Sequence, residues 1–516
     1  MQTLSSYLSG AWRQGTGRTS TLYNAVTGAA MAETSTDGLD LSAALAFGRD
    51  VGGPALRAMT FAERGGLLSA MSHAIRENRD ELIELAADNM GATRGDAKFD
   101  VDGASGTLAF YAHLAKGLGD RRVLTDGDQV RISRSKRFVG QHIWTPRRGV
   151  AVHINAFNFP AWNMAEKVAC ALLAGMPVLA KPGTATALVA HRVAQLWIDK
   201  TELPQGAFQL LCGSAGDLLD HLERQDCVVF TGSNDTAGVI CNHPRVRAMG
   251  IPVNVEADSL NAAVLGPDVS PDSDTFLMFI AEVVREMVQK AGQKCTAIRR
   301  VLVPRDLLEP TLEVLRDRLD QQVMGDPRER ATTVGALSTP AQKRDVLAGI
   351  AALEAAGAER VWGDPDSAPA DGYYVAPQLF LAEGGADAAY VHEHEVFGPV
   401  ATLLPYDGSV AEASAIVAKG GGGLVSSMFT DDSAWGQELL LEMAPWHGRL
   451  LWGSAKVHDQ STGHGAVMPG LIHGGPGKAG GGSELGGERG LSFYMQRTAI
   501  QGDSALLRRA FPTEAS

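Results

Sequence analysis

The sequence predicts an α/β protein in which a doubly wound parallel sheet is followed by a second α/β unit. Between positions 150 and 255, short runs of branched apolar residues alternate with helical segments. Strands and helices of this length form a parallel sheet with helices on both faces. A second alternation follows position 295, and a composition of 45% hydrophobic and 20% charged residues is typical of a soluble α/β protein with a sizeable core.

The chain before position 150 combines short strands, helices and a charged ribbon. Tyr7–Trp12 and Ala30–Glu33 have strand patterns separated by Gly- and Thr-rich turns. A long helical region follows, in which Thr60 and Glu63 are spaced as a capping box. Ile132–Trp144 alternates like a strand, with basic residues between its apolar positions. Such a ribbon is either a solvated hairpin or an arm that docks on another subunit.

Five strands and three helices make up the predicted doubly wound sheet. Each strand is short and dominated by branched apolar residues, as expected for a sheet that is covered on both faces. In chain order these elements are strand Val150–Ile154, helix Trp162–Leu173, strand Val178–Lys181, helix Ala185–Ile198, strand Phe208–Leu211, helix Gly216–Leu222, strand Cys227–Thr231 and strand Val253–Val255.

The carboxyl ends of these strands predict a ligand site. Open parallel sheets bind ligands in the crevice beyond the carboxyl ends of their strands. The segments at those ends are 155–158, 181–184, 213–216, 231–233 and 256–258.

Cys295 is the candidate nucleophile. It follows the amphipathic helix Phe276–Gln289, which Gly292 terminates, and precedes a strand over Ile298–Val303. The thiol therefore lies on a turn, where nearby cations such as Lys294 and backbone amides would favour the thiolate. The alternative is a buried and inert cysteine.

The second α/β unit extends beyond this turn. Its apolar periodicity predicts two helices and further strands. They are strand Arg300–Val303, helix Leu307–Val323, helix Pro340–Ala356 and strands near Tyr373–Val375 and Ala401–Pro405.

Charge and cysteine usage exclude several classes of protein. A net charge of −13 argues against nucleic-acid or anionic-membrane binding. The polar N-terminus lacks the apolar core of a signal peptide, and the apolar run Val168–Ala180 is too short to span a bilayer. The five cysteines show no CxxC or Cys/His metal spacing. We therefore expect a cytoplasmic protein without a metal site, in which the cysteines other than Cys295 are structural.

The glycine-rich stretch from 473 to 487 is not a phosphate loop. Ile472 replaces the first glycine that such a loop requires, and Ala479 replaces its Ser or Thr. No GxGxxG fingerprint follows the first strand either. We interpret the glycines as a flexible or tightly packed connection that delivers Glu484 to the site.

Three further side chains are candidates at the sheet edge. Glu256 ends a strand, where partial desolvation would raise its pKa and suit it as a general base, although a surface or capping carboxylate is the alternative. Asn158 is a candidate oxyanion donor or a helix cap. Lys181 is a candidate phosphate or ribose ligand, or an ordinary exposed lysine.

Taken together, these motifs resemble the aldehyde dehydrogenase family along essentially the whole chain. Longer stretches, such as VHINAFNFPAW and HGGPGKAGGGSELGG, resemble a branch of the family that acts in aerobic phenylacetate or benzoate degradation. The motifs that carry the family resemblance are Asn158–Pro160, Lys181–Pro182, Phe230–Ser233, Glu256, Gly292–Thr296, Glu395–Pro399 and Gly482–Gly486.

The resemblance implies a role for each catalytic candidate. Cys295 would add to an aldehyde, and Asn158 with the Cys295 backbone N–H would hold the oxyanion. Glu256 would activate the water that hydrolyses the resulting thioester. Glu484 would relay protons, and Lys167 matches a family lysine near the active site.

The resemblance also implies a nicotinamide cofactor. NAD-preferring members carry a glutamate three residues after the cofactor lysine, where this chain has Thr184. Since a glutamate would repel a 2′-phosphate, we predict NADP⁺ over NAD⁺. The glycine spacing near Ala237–Gly238 departs from the family pattern and leaves the path of the pyrophosphate open. The implied cofactor-binding residues are Ile154, Asn155, Ala156, Phe157, Lys181, Gly183, Thr184, Ser214, Thr231, Gly232, Ser233, Ala257, Asp258, Glu395 and Phe397.

The same resemblance implies domains, assembly and substrate. Residues 1–127 and 148–257 would bind the cofactor and 258–480 would form the catalytic domain, while 128–147 and 481–516 would assemble a homodimer or a dimer of dimers. The expected reaction is hydrolytic oxidation of a CoA-linked semialdehyde, with any hydratase step on a separate protein. General medium-chain oxidation, CoA acylation and a catalytically silent homologue are the alternatives.

Overall fold

Two seven-stranded sheets organise the chain in this computed structural model, which describes residues 2–512. Five parallel strands run through the first sheet, as the alternation of apolar and helical segments predicts, and two antiparallel N-terminal strands complete one edge. In spatial order the strands are Val253–Glu256, Cys227–Thr231, Ala151–Ile154, Val178–Lys181, Phe208–Leu210, Ser6–Leu8 and Ala11–Arg13.

The second sheet is also largely parallel and is built from the C-terminal half of the chain. Only its first pair of strands is antiparallel. The prediction of a doubly wound sheet followed by a second α/β unit is confirmed. In spatial order the strands are Glu359–Trp362, Gln378–Leu381, Val400–Tyr406, Ile298–Pro304, Asn261–Leu265, Gly423–Phe429 and His447–Gly453.

Helices cover both sheets. The predicted capping box is present, since Thr60 accepts from the Glu63 backbone and the Glu63 side chain accepts from the Thr60 backbone. None of the helices within residues 2–512 is long and apolar enough to cross a membrane. The α-helices are Leu41–Phe47, Gly53–Ala58, Phe61–Glu77, Arg79–Met90, Arg94–Leu118, Trp162–Ala174, Ala187–Lys200, Asn234–Cys241, Pro244–Met249, Asp274–Val288, Leu308–Asp320, Pro340–Ala355, Ala389–Glu393, Val410–Ala418, Ser433–Met443 and Ser504–Ala510.

The charged ribbon is the central strand of a small antiparallel sheet. Phe138–Pro146 pairs with Leu124–Arg131 on one side and with Met495–Asp503 on the other. The strand starts at 138 rather than at 132, because residues 132–137 form the turn that joins it to a preceding strand absent from the sequence prediction. A second three-stranded sheet contains Gln2–Leu4, Ala30–Thr34 and Ser20–Tyr23.

Three predicted elements are wrong. Tyr7–Trp12 is not one strand but spans a hairpin of Ser6–Leu8 and Ala11–Arg13, because residues 9 and 10 adopt positive φ and turn the chain back. The helix over 216–222 is only a single 3₁₀ turn, Leu218–His221, because Gly213 and Gly216 adopt positive φ and leave too few residues for a helix. The strand near 373–375 is absent, and the strand lies instead at Gln378–Leu381. Tyr373 gives its backbone bonds to loop residues Ala25 and Leu337, so it does not join the sheet.

Candidate active site

A crevice of about 990 Å³ lies at the carboxyl ends of the first sheet's strands and faces the second unit. The strand ends lie together because neighbouring parallel strands are in register, with Ile154 opposite Lys181 and Thr231 opposite Glu256. Most of the predicted site residues line this crevice, namely Ile154, Asn155, Ala156, Phe157, Asn158, Lys181, Gly183, Thr231, Gly232, Ser233, Glu256, Ala257, Asp258, Cys295, Glu395 and Phe397.

Four predicted residues lie outside this lining. Thr184 is adjacent to it, since its hydroxyl donates to Gly213 O at 2.9 Å and lies 3.4 Å from Lys181 Nζ. The Ser214 hydroxyl is 2.7 Å from that of Thr36. Lys167 and Glu484 are buried deeper, behind Glu256.

The crevice has features that fit a dinucleotide. Both polar atoms of the buried Asn155 side chain are without a partner within residues 2–512, so a ligand can satisfy them. A Cβ on Gly183 would lie 2.7 Å from the Phe157 backbone, which keeps this edge of the crevice open only to glycine. Ser233 caps the helix Asn234–Cys241 at the crevice. The glycine that departs from the family spacing, Gly238, falls inside that helix.

Cys295 lies on the predicted turn and is half-buried. The helix Asp274–Val288 ends seven residues earlier, and three consecutive left-handed residues follow, Lys290 (φ 54°), Ala291 (φ 50°) and Gly292 (φ 71°). Only glycine fits at 292, because a Cβ there would lie 2.0 Å from Gly398 O. Asn261 Nδ2 then holds the turn by donating to Cys295 O at 2.8 Å.

The surroundings of the thiol differ from the prediction. Lys294 is fully buried and pairs with Glu286 at 2.7 Å instead of supporting the thiolate. Burial raises the pKa of Cys295 well above its usual value, and the negative charge of Glu256, whose carboxylate lies within 4.8 Å of the sulfur, raises it further. The resting group is therefore a thiol with a carboxylate in place to take its proton.

Glu256 is buried and paired with a histidine. His473 Nε2 lies 3.1 Å from Glu256 Oε1, and Thr231 donates to Glu256 Oε2 at 3.3 Å. Burial alone would raise the pKa of Glu256, but the charge and hydrogen bond of His473, together with Lys167, outweigh burial and lower it. The expected raised pKa is thus wrong in direction. The pKa of His473 is raised in turn, because Glu256 more than offsets its burial.

Asn158 is buried next to the catalytic turn. Its Nδ2 donates to Gln293 O at 3.1 Å, two residues before Cys295, and it lines the same crevice. An asparagine amide has two N–H donors, so one is free to meet an oxygen at the cysteine. This geometry suits an oxyanion donor better than a helix cap.

A second layer of charges lies behind Glu256. Lys167 pairs with Glu166 at 3.1 Å and with Glu484 at 2.9 Å, and Asn254 donates to Glu484 at 3.0 Å. Carboxylate oxygens of Glu166, Glu256 and Glu484 lie within 4.8 Å of one another. Burial raises the pKa of both Glu166 and Glu484, although Lys167 opposes the shift. These groups form a chain that can pass a proton inward from Glu256.

The glycine-rich stretch is a tightly packed hairpin. Ile472–Gly474 pairs with Ser483–Leu485, so that His473 lies directly opposite Glu484. A Cβ on Gly474 would lie 2.1 Å from Gly482 O, and one on Gly480 2.5 Å from Val255. The glycines let the hairpin lie against the Glu256 strand and bring both side chains to the site.

The sequence reasoning missed His473 and Glu166. The signal in the sequence that indicates His473 is the His–Gly–Gly triplet at 473–475, in front of Glu484. Glu166 precedes Lys167 on a helix whose residues are all buried. Because a buried carboxylate without a partner is unfavourable, a glutamate in such an apolar helix is itself a signal of a charged partner nearby.

The side of Cys295 away from the crevice is a small cavity with both aromatic and polar lining residues. Phe99, Phe159, Trp162 and Val467 supply its apolar lining, and the cavity reaches Cys295. Phe99 and Trp162 meet edge to face at 5.1 Å. Such a channel suits an unbranched apolar chain next to the reacting carbonyl.

This fold and crevice define an NAD(P)-dependent oxidoreductase. A model of the aldehyde dehydrogenase family matches residues 12–500, and the chain belongs to that family. The family expected from the sequence motifs is therefore confirmed, and the protein is an NAD(P)-dependent oxidoreductase acting on aldehydes.

Two relatives and one solved structure illustrate the similarity. The chain is 44% identical to the 3,4-dehydroadipyl-CoA semialdehyde dehydrogenase of Aromatoleum evansii, over 92% of this chain and 93% of that protein. It is 26% identical to a betaine aldehyde dehydrogenase of Vibrio vulnificus, over 72% and 74%. The NAD⁺ complex of an aldehyde dehydrogenase from Bacillus cereus superposes with a TM-score of 0.84 at 23% identity, over 98% of this chain and 97% of that one.

Replacing Lys167 with methionine should destabilise the protein. The ammonium is 1% exposed and compensates two buried carboxylates, so its loss should lower the free energy of unfolding by about 3 kcal/mol, as for other broken buried pairs. Urea denaturation measures this change. The exposed Lys116, on another helix, is the matched control, and Lys116→Met should change the free energy by less than about 0.5 kcal/mol. Equal values for the two variants would show that Lys167 does not compensate these carboxylates.

Proposed function

We propose that the protein oxidises a CoA-linked semialdehyde to the carboxylic acid with NADP⁺, in the aerobic breakdown of an aromatic acid. The observation that carries the proposal is the Cys295 sulfur, which lies within 4.8 Å of the buried Glu256 carboxylate where a dinucleotide-sized crevice meets a small cavity that Phe99, Phe159 and Trp162 help to line. The similarity to a CoA semialdehyde dehydrogenase supports the substrate class.

The proposed reaction begins with transfer of the thiol proton to Glu256. The Cys295 sulfur then adds to the aldehyde carbon and forms a thiohemiacetal. The free N–H of Asn158 stabilises the oxyanion, because a buried donor is worth several kcal/mol where charge develops, roughly 3–4 kcal/mol in other enzymes. The aromatic channel holds the substrate chain and keeps bulk water from the sulfur.

The crevice residues would hold the nicotinamide cofactor. When bound, this group supplies the hydride acceptor that converts the thiohemiacetal oxidation level to that of a thioester. Glu395, which is paired with Arg299 at 3.2 Å, and Phe397 would bind the ribose next to the nicotinamide. Lys181 and Ser233 would bind the adenine half, and Asn155 would satisfy its two free polar atoms there.

Hydrolysis of the thioester completes the proposed cycle. Once the thiol proton has left Glu256 for solvent, the carboxylate accepts a proton from water, and its pairing with His473 keeps it ionised and oriented for this step. Lys167 and Glu484 then offer a route by which the proton leaves the site. A base of this kind typically contributes 10²–10⁴-fold to the rate, on the order of 3–5 kcal/mol.

The preference for NADP⁺ rests on Thr184. Its hydroxyl lies beside Lys181, which burial gives a pKa of about 8 and which is therefore largely charged at neutral pH. A 2′-phosphate would find the Lys181 cation here, next to the Thr184 hydroxyl, which donates to Gly213 O. No carboxylate occupies position 184 to repel it.

Thr184→Glu should reverse the cofactor preference. A carboxylate at this position repels the 2′-phosphate and accepts from the ribose hydroxyls, so KM for NADP⁺ should rise by about tenfold or more while KM for NAD⁺ falls. Steady-state kinetics with both cofactors measures the change. Thr184→Gln has the same size without the charge and is the control. If the wild type already prefers NAD⁺, or if both variants behave alike, the proposed preference is wrong.

Two alternatives concern how the product leaves and what is bound. Release of the product to free CoA would make the enzyme acylating, but this route would not use Glu256 for the second role proposed here, the activation of water. A general medium-chain aldehyde dehydrogenase would use the aromatic channel without a carrier.

As part of the same proposal, residues 1–127 and 148–257 form the cofactor domain and 258–480 the catalytic domain, and the remaining segments form a homodimer or a dimer of dimers.

The decisive assay compares a semialdehyde with its CoA thioester. NADPH formation should show a kcat/KM at least about tenfold higher for the CoA-linked substrate, because the carrier adds binding energy. The free medium-chain semialdehyde of the same length is the control. Equal values would leave an aldehyde dehydrogenase without a CoA-linked substrate and would reject this part of the proposal.

A further inference from the structure

Three side chains at the active site form a donor set that suits a transition metal. The ligand atoms of Cys295, Glu256 and His473 all lie within 4.8 Å of one another. Glu256 and His473 are buried, and Cys295 is half-buried and faces the crevice. Thiolate, imidazole and carboxylate are the three side-chain groups that Zn²⁺ binds in proteins.

The spacing of the donors is close to that of a tetrahedral centre. With Zn–S of about 2.3 Å and Zn–N or Zn–O of about 2.0–2.1 Å, tetrahedral ligand atoms lie roughly 3.3–3.6 Å apart. His473 Nε2 and Glu256 Oε1 are already 3.1 Å apart. Small side-chain movements therefore bring all three onto one ion, and a fourth position is left toward the crevice.

The charge around the three donors also favours a dication. Carboxylate oxygens of Glu166, Glu256 and Glu484 lie within 4.8 Å of one another, and Lys167 pairs with two of these groups, Glu166 and Glu484. Thr231 orients the Glu256 carboxylate from the side opposite His473 through its hydroxyl. Orientation of this kind by an outer partner is typical of metal-binding carboxylates.

We propose that Cys295, Glu256 and His473 bind Zn²⁺ reversibly when the pocket holds no aldehyde, and that the ion blocks the nucleophile. Binding forms one bond each to sulfur, nitrogen and oxygen, and releases to solvent the thiol proton and the Nε2 proton that His473 directs at Glu256, with no change of oxidation state. The bound sulfur cannot add to a carbonyl, so the metal is an inhibitor and a protector of the thiol. The three residues are far apart in sequence, which is why cysteine and histidine spacing gives no metal signal.

Alkylation of the full-length wild-type protein tests the metal site without substrate or cofactor. Zn²⁺ should slow iodoacetamide labelling of Cys295 by more than about tenfold, and EDTA should restore it, because a metal-bound thiolate is not free to react. Peptide mass spectrometry follows each cysteine separately. The exposed Cys241 is an internal control, and its labelling should be unchanged. Equal labelling of Cys295 with and without Zn²⁺ overturns the proposal.

The role of the individual ligands is tested by substitution and by Co²⁺. His473→Gln and Glu256→Gln should each weaken Zn²⁺ protection by about 10- to 100-fold or more, since even loss of an outer-shell partner has that effect. Undiminished protection in His473→Gln would mean that a lone thiol binds the ion, and would reject the three-ligand site. If a variant does not fold, Co²⁺ added to the wild type decides. A thiolate-to-Co²⁺ charge-transfer band with strong tetrahedral d–d absorption supports the site, and its absence contradicts it.

Because these measurements need no aldehyde, they are independent of the proposed function. Failure of Zn²⁺ to protect Cys295 leaves the dehydrogenase proposal intact. Conversely, protection without any gain for a CoA-linked substrate would retain the metal site and reject the substrate class.

Discussion

Cys295→Ser should reduce aldehyde oxidation by about 10⁴-fold or more, because the hydroxyl cannot replace the thiol as nucleophile and leaving group. The surrounding protein should be unaffected, since serine is nearly isosteric and the turn is held through its backbone by Asn261. Steady-state NADPH formation measures the loss. A thiol titration should in parallel lose one reactive equivalent.

Cys241→Ser is the matched control for this experiment. Cys241 is the exposed cysteine on the helix Asn234–Cys241, whereas Cys170, Cys212 and Cys227 are buried. The control should retain full activity and should lose a thiol that reacts rapidly for reasons of exposure alone. If Cys295→Ser kept more than a few per cent of the wild-type rate, another group would be the nucleophile and the proposed chemistry would be wrong.

Glu256→Gln should slow turnover by about 10²–10⁴-fold while retaining a burst of one equivalent of NADPH, which forms more slowly than in the wild type because the thiol proton must then leave to solvent. Glutamine keeps the shape and can still contact His473 and Thr231, but it cannot accept a proton from water. The acyl-enzyme should therefore form and then persist. Stopped-flow absorbance followed by mass spectrometry of the acylated Cys295 peptide detects both events.

Glu484→Gln is the appropriate comparison, because it alters the relay but keeps Glu256. We expect a smaller fall in turnover and no long-lived acyl-enzyme. Normal turnover in Glu256→Gln would identify Glu484 or bulk water as the base. A lost burst would show instead that Glu256 is needed mainly to take the thiol proton.

The strand pattern could be predicted because the information is local. Segments such as Val178–Lys181 and Cys227–Thr231 are bounded in the structure as the apolar runs indicate, since parallel strands that are buried on both faces need continuous branched residues. From those strands, a general rule about parallel sheets was enough to predict the crevice. The prediction of a strand at 373–375 is wrong because the backbone partners of this segment are loop residues that are distant in sequence.

The site was only partly predictable, because its electrostatics depend on long-range neighbours. Glu256 was expected to have a raised pKa from burial alone, and the outcome is reversed by His473, which lies more than two hundred positions away. The sequence predicts that the Lys294 ammonium stabilises the Cys295 thiolate. In the structure this ammonium instead forms a salt bridge with Glu286 on the preceding helix. Residue type and order predict which groups assemble at the site. Whether the pKa of each group is raised or lowered depends on partners that are distant in sequence and come together only in the folded chain.

The left-handed run from Lys290 to Gly292 affects how the enzyme loses activity on heating and where stabilising mutations should be placed. Two of its three residues carry side chains in a backbone region that costs each about 1–2 kcal/mol, so the turn holds its shape only while its neighbours enforce it. The nucleophile Cys295 therefore lies three residues after a strained backbone segment. Heating, or a mutation that weakens the contacts around this turn, should displace Cys295 before the two sheets unfold. Activity should therefore be lost at a lower temperature than secondary structure. Engineering for durability should begin at the contacts around this turn.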